Sequence, residues 1–233
     1  MNRTARNPFF VWPGWSHIRW TSVLILFVTA WFCVAFAGGN WFTAHRTTQV
    51  RVDLAFDAFI PLVPAFTLVY MSIYLLFLAV PFVLRTRREV RTLAIAQSVT
   101  ILVAGICFLL IPAKLAFVPA TDSELGIWKS LFHFADRLNL DYNLVPSLHV
   151  ALSIICIEFF CLHANGAGKT ILRLWGLAIA ASTLFTHQHH LIDVSSGYLL
   201  ALAVVKFTRR AQEVANIEAP ITVPPEASTV SYR

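Results

Sequence analysis

The sequence predicts an all-α, polytopic membrane protein with about six transmembrane helices that form a helical bundle. Of its 233 residues, 58% are hydrophobic and 13% are charged, whereas an average soluble domain is about 45–50% apolar and about 25% charged. So little charge could not cover the surface of a soluble domain of this length. The many apolar residues also argue against a disordered chain.

Six apolar runs account for the predicted helices. In chain order they cover residues 20–37, 58–84, 93–111, 145–162, 171–185 and 191–207. The first run starts late and no small-residue cleavage site follows it, so it is predicted to be a span and not a signal peptide. The second and third are long enough to cross about 30 Å of hydrocarbon. The last three are short, which indicates a thin or tapered site.

The basic residues predict the orientation of the chain. Of the 18 Lys and Arg residues, 13 lie near the two termini or in the second and fourth connections, and five lie in the first and third connections. The positive-inside rule then places both termini in the cytoplasm and the odd-numbered connections outside an inner (plasma) membrane. The net charge of +6 is therefore explained by topology, and no nucleic-acid partner is predicted.

The composition changes after residue 207. Residues 1–207 are predicted to form one membrane-embedded domain, whose motif core covers about residues 110–205. Residues 208–233 become polar and include Pro220, Pro224 and Pro225. They are predicted to form a disordered cytoplasmic tail.

A first polar motif stands at the start of the fourth run. It reads Pro146-Ser147-Leu148-His149, and because proline is favoured in the first turn of a helix, a helix is predicted to begin at Pro146. The free N–H groups of that turn and the Ser147 hydroxyl would bind an anion such as a phosphate. His149 would project from the same turn, within reach of a bound phosphate oxygen.

A second polar motif connects the fifth and sixth runs. It contains Ser182, Thr183, His187, Gln188, His189, His190 and Asp193. In a helix, Asp193 would face His189 at i+4 and His190 at i+3. A carboxylate that binds one ring nitrogen fixes the tautomer and leaves the other nitrogen free to attack phosphorus. His149 could then protonate the departing oxygen as a general acid.

Other interpretations of these residues stay open. The histidines and Asp193 could hold zinc, or they could be structural groups at the membrane boundary. Glu158 stands inside the fourth run, where an acid is costly, and the sequence indicates no partner for it. The competing class of function is a non-enzymatic transporter or scaffold that uses the His/Asp cluster as a proton relay.

The two motifs resemble those of the type 2 phosphatidic acid phosphatase superfamily of membrane lipid phosphatases. Residues 146–149 are similar to its Pro-Ser-x-His motif, and residues 182–193 are similar to its last motif, Ser-Arg, five residues, His, three residues, Asp. The resemblance covers about residues 110–205 and implies six spanning helices with an outward-facing site. It implies that His189 forms a phosphohistidine, that Asp193 orients it and that His149 is the acid, with no metal and no organic cofactor.

The chain departs from this pattern at positions that bind phosphate. Thr183, after Ser182, stands where phosphatases of the family usually carry an arginine, and the family's first motif survives only as Lys114. The outward Lys129 and Arg137 are candidate replacements for the missing cations. The Ser-Thr variant with His-His also resembles inositol phosphorylceramide synthase, which passes a phosphoryl head group to a lipid alcohol.

The third connection contains a predicted amphipathic helix. Residues 128–138 have apolar side chains at helical spacing, with Lys129, Asp136 and Arg137 between them. Such a helix would lie in the plane of the membrane interface. It could be a substrate lid or an ordinary connector.

These features predict a membrane enzyme that acts on a lipid phosphate at the outer leaflet. The favoured activity is a lipid phosphate phosphatase that hydrolyses an ester or anhydride through a phosphohistidine, and the alternative is a head-group phosphotransferase. Phosphatidate, phosphatidylglycerophosphate, an isoprenyl diphosphate and a sphingolipid head group are all possible substrates.

Overall fold

The computed structural model describes residues 8–139 and 142–217 as a mostly helical chain. The helices are α1 (Trp15–Ala44), α2 (Phe66–Met71), α3 (Ile73–Val83), α4 (Arg87–Leu110), α5 (Asp122–Leu125), α6 (Lys129–Leu138), α7 (Leu148–Phe160), α8 (Gly166–Phe185) and α9 (Leu191–Ile217). Two 3₁₀ turns cover Asp57–Phe59 and Gly126–Trp128. Two-residue strands, β1 (Val50–Arg51) and β2 (Ala113–Lys114), pair in parallel. The predicted all-α membrane fold is confirmed.

The long apolar helices are those of a membrane protein. In the described part of the chain, four segments are long and apolar enough to cross a membrane: α1, α2 with α3 (Phe66–Val83), α4, and Leu191–Ala211 of α9. The fourth predicted run is α7, a shorter apolar helix of 13 residues. The fifth run is the carboxyl-terminal three-quarters of α8.

The second run differs from its prediction at its start. The predicted span began at residue 58, but the helix begins at Phe66 and changes from α2 to α3 at Ser72. Pro61 and Pro64 stand just before Phe66. Because proline lacks an N–H group and restricts the residue before it, these positions favour an irregular segment over a helix interior.

Helix α7 is the central helix of the bundle. It contacts α3, α4, α8 and α9, and Val150, Ala151, Ile155 and Cys156 are fully buried. A helix enclosed by neighbours on several sides is apolar all round, which explains why the sequence of α7 has no polar face. The first polar motif stands at the start of this helix, so it is held by the core of the protein.

The connections meet at the two ends of the bundle. The first and third connections are joined by the β1–β2 pair, and the first and fifth by the Val63 N–H, which donates to the Phe185 carbonyl at 2.8 Å. At the other end, His17 bonds the Leu84 carbonyl at 3.0 Å. This grouping of the connections agrees with the predicted topology. The cytoplasmic location of the basic end stays a prediction.

Glu158 has partners that the sequence did not indicate. Its carboxylate accepts hydrogen bonds from Arg173 of α8 at 2.8 Å and from Arg209 of α9 at 3.0 Å. These ion pairs compensate the negative charge of Glu158. They also connect the carboxyl-terminal end of α7 to α8 and α9.

The last helix continues beyond the predicted domain boundary. The predicted membrane domain ends at residue 207, whereas α9 extends to Ile217. Residues 208–217 of the predicted tail are therefore helical. Its remaining residues, 218–233, lie outside the described residues.

Candidate active site

Ser147 caps the central helix. Helix α7 begins at Leu148, and the Ser147 hydroxyl accepts a hydrogen bond from the Val150 N–H at 3.3 Å. The predicted start at Pro146 is therefore two residues too early. Serine is among the preferred N-cap residues because its side chain satisfies a free N–H group of the first turn. Pro146 precedes this cap instead of opening the helix.

Asp193 connects the two polar motifs. Its main-chain carbonyl accepts a hydrogen bond from the Ser147 N–H at 3.0 Å. Its carboxylate oxygen Oδ2 lies 3.4 Å from Nδ1 of His189 and accepts the main-chain N–H of His190 at 2.7 Å. Asp193 is fully buried. One residue thus contacts both the cap of α7 and the predicted nucleophile.

The pair of His189 and Asp193 forms at the start of α9. The helix begins at Leu191, so the two residues keep the predicted i+4 spacing although His189 stands in the turn before the helix. A distance of 3.4 Å is longer than a formed hydrogen bond. His189 is itself buried, at 7% exposure.

The end of α8 holds the turn that contains His189. The carbonyl of Thr183 accepts the N–H groups of Gln188 at 3.0 Å and His189 at 3.2 Å. The hydroxyls of Ser182 and Thr183 donate to the helix carbonyls of Ile179 and Ala180 at 2.6 and 2.8 Å. The main chain of Thr183 thus positions His189, and the predicted phosphate-binding role of both hydroxyls stays a prediction.

The three histidines of the second motif have different partners. His189 faces Asp193, whereas His187 bonds the Ile60 carbonyl at 2.9 Å through Nε2. His190 faces Asp57 of the first connection. Within residues 8–139 and 142–217, no group of three or more His, Cys, Asp or Glu side chains has an arrangement that could hold a metal ion.

His149 lies on the aromatic ring of Tyr70. The two rings are stacked with centroids 3.9 Å apart, and Nε2 of His149 is 2.9 Å from the Tyr70 carbonyl. Because a carbonyl oxygen only accepts, Nε2 carries a proton in this arrangement. Because Nε2 is already bonded to this carbonyl, a general acid at this position would have to donate through the other nitrogen, Nδ1, of a protonated ring.

A small cavity adjoins His189. It has a volume of about 20 Å³, which is room for about one water molecule. The lining residues are Phe36, Leu115, Asn139, Asn143, Leu144, Gln188 and His189. Among the residues that the structure describes, the lining includes no Lys or Arg. The polar lining other than His189 consists of neutral carboxamides.

The sequence of the chain matches the model of a known protein family. The PAP2 superfamily model matches residues 39–207, which is more than half of the chain and includes both polar motifs. The chain belongs to the PAP2 superfamily. No curated protein matches it. The expected relationship to the type 2 phosphatidic acid phosphatases is thus confirmed.

The PAP2 motifs are connected to α6 by a network of carboxamides. The Tyr70 hydroxyl donates to Oδ1 of Asn139 at 2.6 Å, and the Asn139 amide donates to Oε1 of Gln188 at 2.6 Å. The Gln188 amide donates in turn to Asp136 of α6 at 3.2 Å. The predicted amphipathic helix is therefore present and bonds directly to the residue before His189. Tyr70 and Asn139 belong to neither sequence motif, and their sequence context does not indicate this contact.

The candidate cations of this superfamily member lie outside the cavity. Lys114 is exposed in β2, and Lys129 and Arg137 are exposed on α6. Among the described residues that line the cavity, none of the three appears. Their role in binding phosphate stays a prediction.

Proposed function

We propose that this PAP2 superfamily member is an integral-membrane lipid phosphate phosphatase that works through a phosphohistidine on His189. The observation that best supports the proposal is the double contact of Asp193. Its main chain bonds the Ser147 cap at 3.0 Å and its carboxylate lies 3.4 Å from Nδ1 of His189. A carboxylate beside Nδ1 leaves Nε2 as the nitrogen that attacks.

The first half-reaction transfers the phosphoryl group to the protein. Nε2 of His189 attacks phosphorus while the bond from phosphorus to the lipid oxygen breaks, and His149 gives its proton to that oxygen. The Ser147 turn stabilises the negative charge on the equatorial oxygens, and Lys114, which does not line the described cavity, is the candidate cation that would approach them from outside it. The lipid alcohol leaves, and the phosphoryl group stays on His189.

The second half-reaction returns the protein to its starting state. Water loses a proton to His149 and attacks the phosphohistidine, so the bond between Nε2 and phosphorus breaks and inorganic phosphate leaves. The balance of atoms needs only water, and the chemistry requires no metal or organic cofactor. In the proposed orientation this site lies on the extracytoplasmic side of the plasma membrane.

Head-group transfer is the second candidate, and the cavity supports it. A phosphate monoester carries more negative charge than a phosphodiester, yet the described residues beside His189 offer carboxamides and no cation. Thr183 also replaces the arginine that would bind two phosphate oxygens. In this alternative, a lipid alcohol takes the place of water in the second half-reaction.

A product assay separates these candidates. Purified protein is given radiolabelled phosphatidate, phosphatidylglycerophosphate, an isoprenyl diphosphate or a sphingolipid phosphodiester, with and without diacylglycerol or ceramide. Inorganic phosphate released without an acceptor supports the phosphatase. Product that forms only with an acceptor refutes hydrolysis and supports transfer. The transporter would be supported if neither product formed, no phosphohistidine were found and the protein showed an activity coupled to a proton gradient.

A further inference from the structure

Asp57 is a buried acid that no motif of the sequence singled out. It stands in the first connection, in the 3₁₀ turn Asp57–Phe59, and is 2% exposed. A carboxylate removed from water is stable only where it is bonded. The structure gives it two main-chain donors: the Leu191 N–H at 3.0 Å to Oδ1 and the Leu54 N–H at 2.7 Å to Oδ2.

Asp57 also faces the ring of His190. Its Oδ2 lies 3.4 Å from Nδ1 of His190, which is 1% exposed. On the opposite side of the ring, Nε2 accepts the main-chain N–H of Ala116 at 3.2 Å. A nitrogen that accepts a hydrogen bond is unprotonated, so the proton of the neutral ring is on Nδ1 and points toward Asp57. Burial lowers the pKa of His190, which is consistent with a neutral ring.

The residues of the second motif that Asp57 contacts come directly after the predicted nucleophile in the chain. Leu191 and His190 follow His189 directly, and the His190 N–H donates to Asp193 at 2.7 Å. The neighbouring residues of the first connection hold the rest of the same turn: the Ile60 carbonyl bonds His187 and the Val63 N–H bonds the Phe185 carbonyl. The first connection therefore supports the whole turn from Phe185 to Leu191, and Asp57 holds its last two residues.

From this arrangement we infer that Asp57 is a positioning residue for the reaction of His189. It holds the ring of His190 and the main-chain N–H of Leu191, and through them the distance between His189 and Asp193. The inference rests on the proposed function, since it concerns the geometry of the phosphohistidine step. Misplacing a reacting group by about 1 Å can cost about 100-fold in rate.

The test compares Asp57→Asn with Asp53→Asn. An amide has one acceptor oxygen for two N–H donors, so in Asp57→Asn its NH₂ group would face one of them. Asp53 lies in the same connection and its charge also acts on His190, but its carboxylate pairs at 2.8 Å with the exposed Arg51 and not with the main chain of Leu191. We expect Asp57→Asn to lower kcat about 10- to 100-fold with KM nearly unchanged, and Asp53→Asn to behave as the wild type.

A double variant distinguishes positioning from a general loss of stability. If Asp57 acts through the turn that Asp193 also holds, Asp57→Asn in an Asp193→Asn background should cost much less than it does alone. Fully multiplicative effects on kcat, or a wild-type kcat for folded Asp57→Asn, would overturn the inference. Both measurements use the phosphate lipid that the wild type turns over fastest.

A second pair of variants keeps the inference testable if Asp57→Asn does not fold. His190→Gln keeps a side-chain donor for Asp57, whereas His190→Leu does not, so the glutamine variant should keep the higher kcat. Equal kcat values would overturn the role of Asp57. A wild type that is never labelled on histidine would instead refute the proposed phosphohistidine itself, and with it the step that Asp57 serves.

Discussion

A β-carbon at Gly197 would lie 2.5 Å from the carbonyl oxygen of Ser147. Helix α9 therefore touches the main chain of the α7 cap one turn after Asp193, whose carbonyl bonds the Ser147 N–H at 3.0 Å. The obstacle is main chain on a buried residue, so it cannot rotate away as a side-chain end could. The close approach of the two motifs requires a residue without a side chain at position 197.

We expect Gly197→Ala to impair catalysis by separating α9 from the Ser147 cap. The methyl group would move His189 and Asp193 away from Ser147 and His149, and a displacement of about 1 Å can cost about 100-fold in kcat. Gly38→Ala is the matched control, because a β-carbon at Gly38 of α1 has nothing within 4 Å. A fully active, folded Gly197→Ala would show that the approach of the helices does not matter for the reaction.

We expect Asp193→Asn to lower kcat without preventing folding. The main-chain bond to Ser147 stays, while an amide in place of the carboxylate removes the charge beside Nδ1 of His189. In a serine protease the equivalent change of an aspartate beside a histidine costs about 10⁴-fold, which we take as the upper limit. Steady-state kinetics with a thermal melt of each variant would separate this effect from instability. A kcat within a few fold of the wild type would argue against the orienting role.

The apolar runs and the i+4 pair of His189 and Asp193 could be predicted because each depends on local sequence. The spacing of apolar and polar residues along a short stretch of sequence shows which face of a helix is buried and which residues lie one turn apart. Asp57 could not be found in this way, since its contact with Leu191 joins residues 134 positions apart. The bond between Asn139 and Gln188 likewise depends on how the third connection folds over α2. Such polar partners are determined by tertiary structure, and an acid or an amide in a connection has no periodic pattern.

We expect variants of the two histidines in the proposed mechanism to be blocked at different steps. His189→Ala should abolish the radiolabelled phosphohistidine, whereas His187→Ala should retain it. His149→Ala should slow departure of an alkyl alcohol by about 10²- to 10⁴-fold. It should slow the initial burst of nitrophenol from para-nitrophenyl phosphate much less, because that leaving group needs no proton. Loss of the burst in His149→Ala together with loss of the label would mean that His149 is not the acid.

We expect Tyr70→Phe to destabilise the contact between α2 and the third connection. The variant keeps the ring that stacks on His149 but removes the hydroxyl that donates to Asn139 at 2.6 Å. Leaving a buried acceptor without its donor costs about 1–3 kcal/mol; Asn139 is half-buried, so we expect the lower end of this range, reported by a lower Tm. Tyr74→Phe is the control, since Tyr74 is 45% exposed. Equal Tm values for the two variants would contradict the importance of the carboxamide network.

The orientation of the bundle can be tested with single cysteines. Ser123 of α5 and Ala167 of α8 are both exposed and stand in the third and fourth connections, at opposite ends of the predicted topology. In a background without the four native cysteines, an impermeant maleimide added to intact cells should label Ser123→Cys only. Both variants should react after permeabilisation, which controls for accessibility. The prediction rests on the 13 of the 18 basic residues that lie at the end that includes Ala167. Labelling of Ala167→Cys alone from outside would show that the topology is the inverse of the predicted one. The site of His189 and Asp193 would then face the cytoplasm, and its lipid substrate would have to come from the inner leaflet.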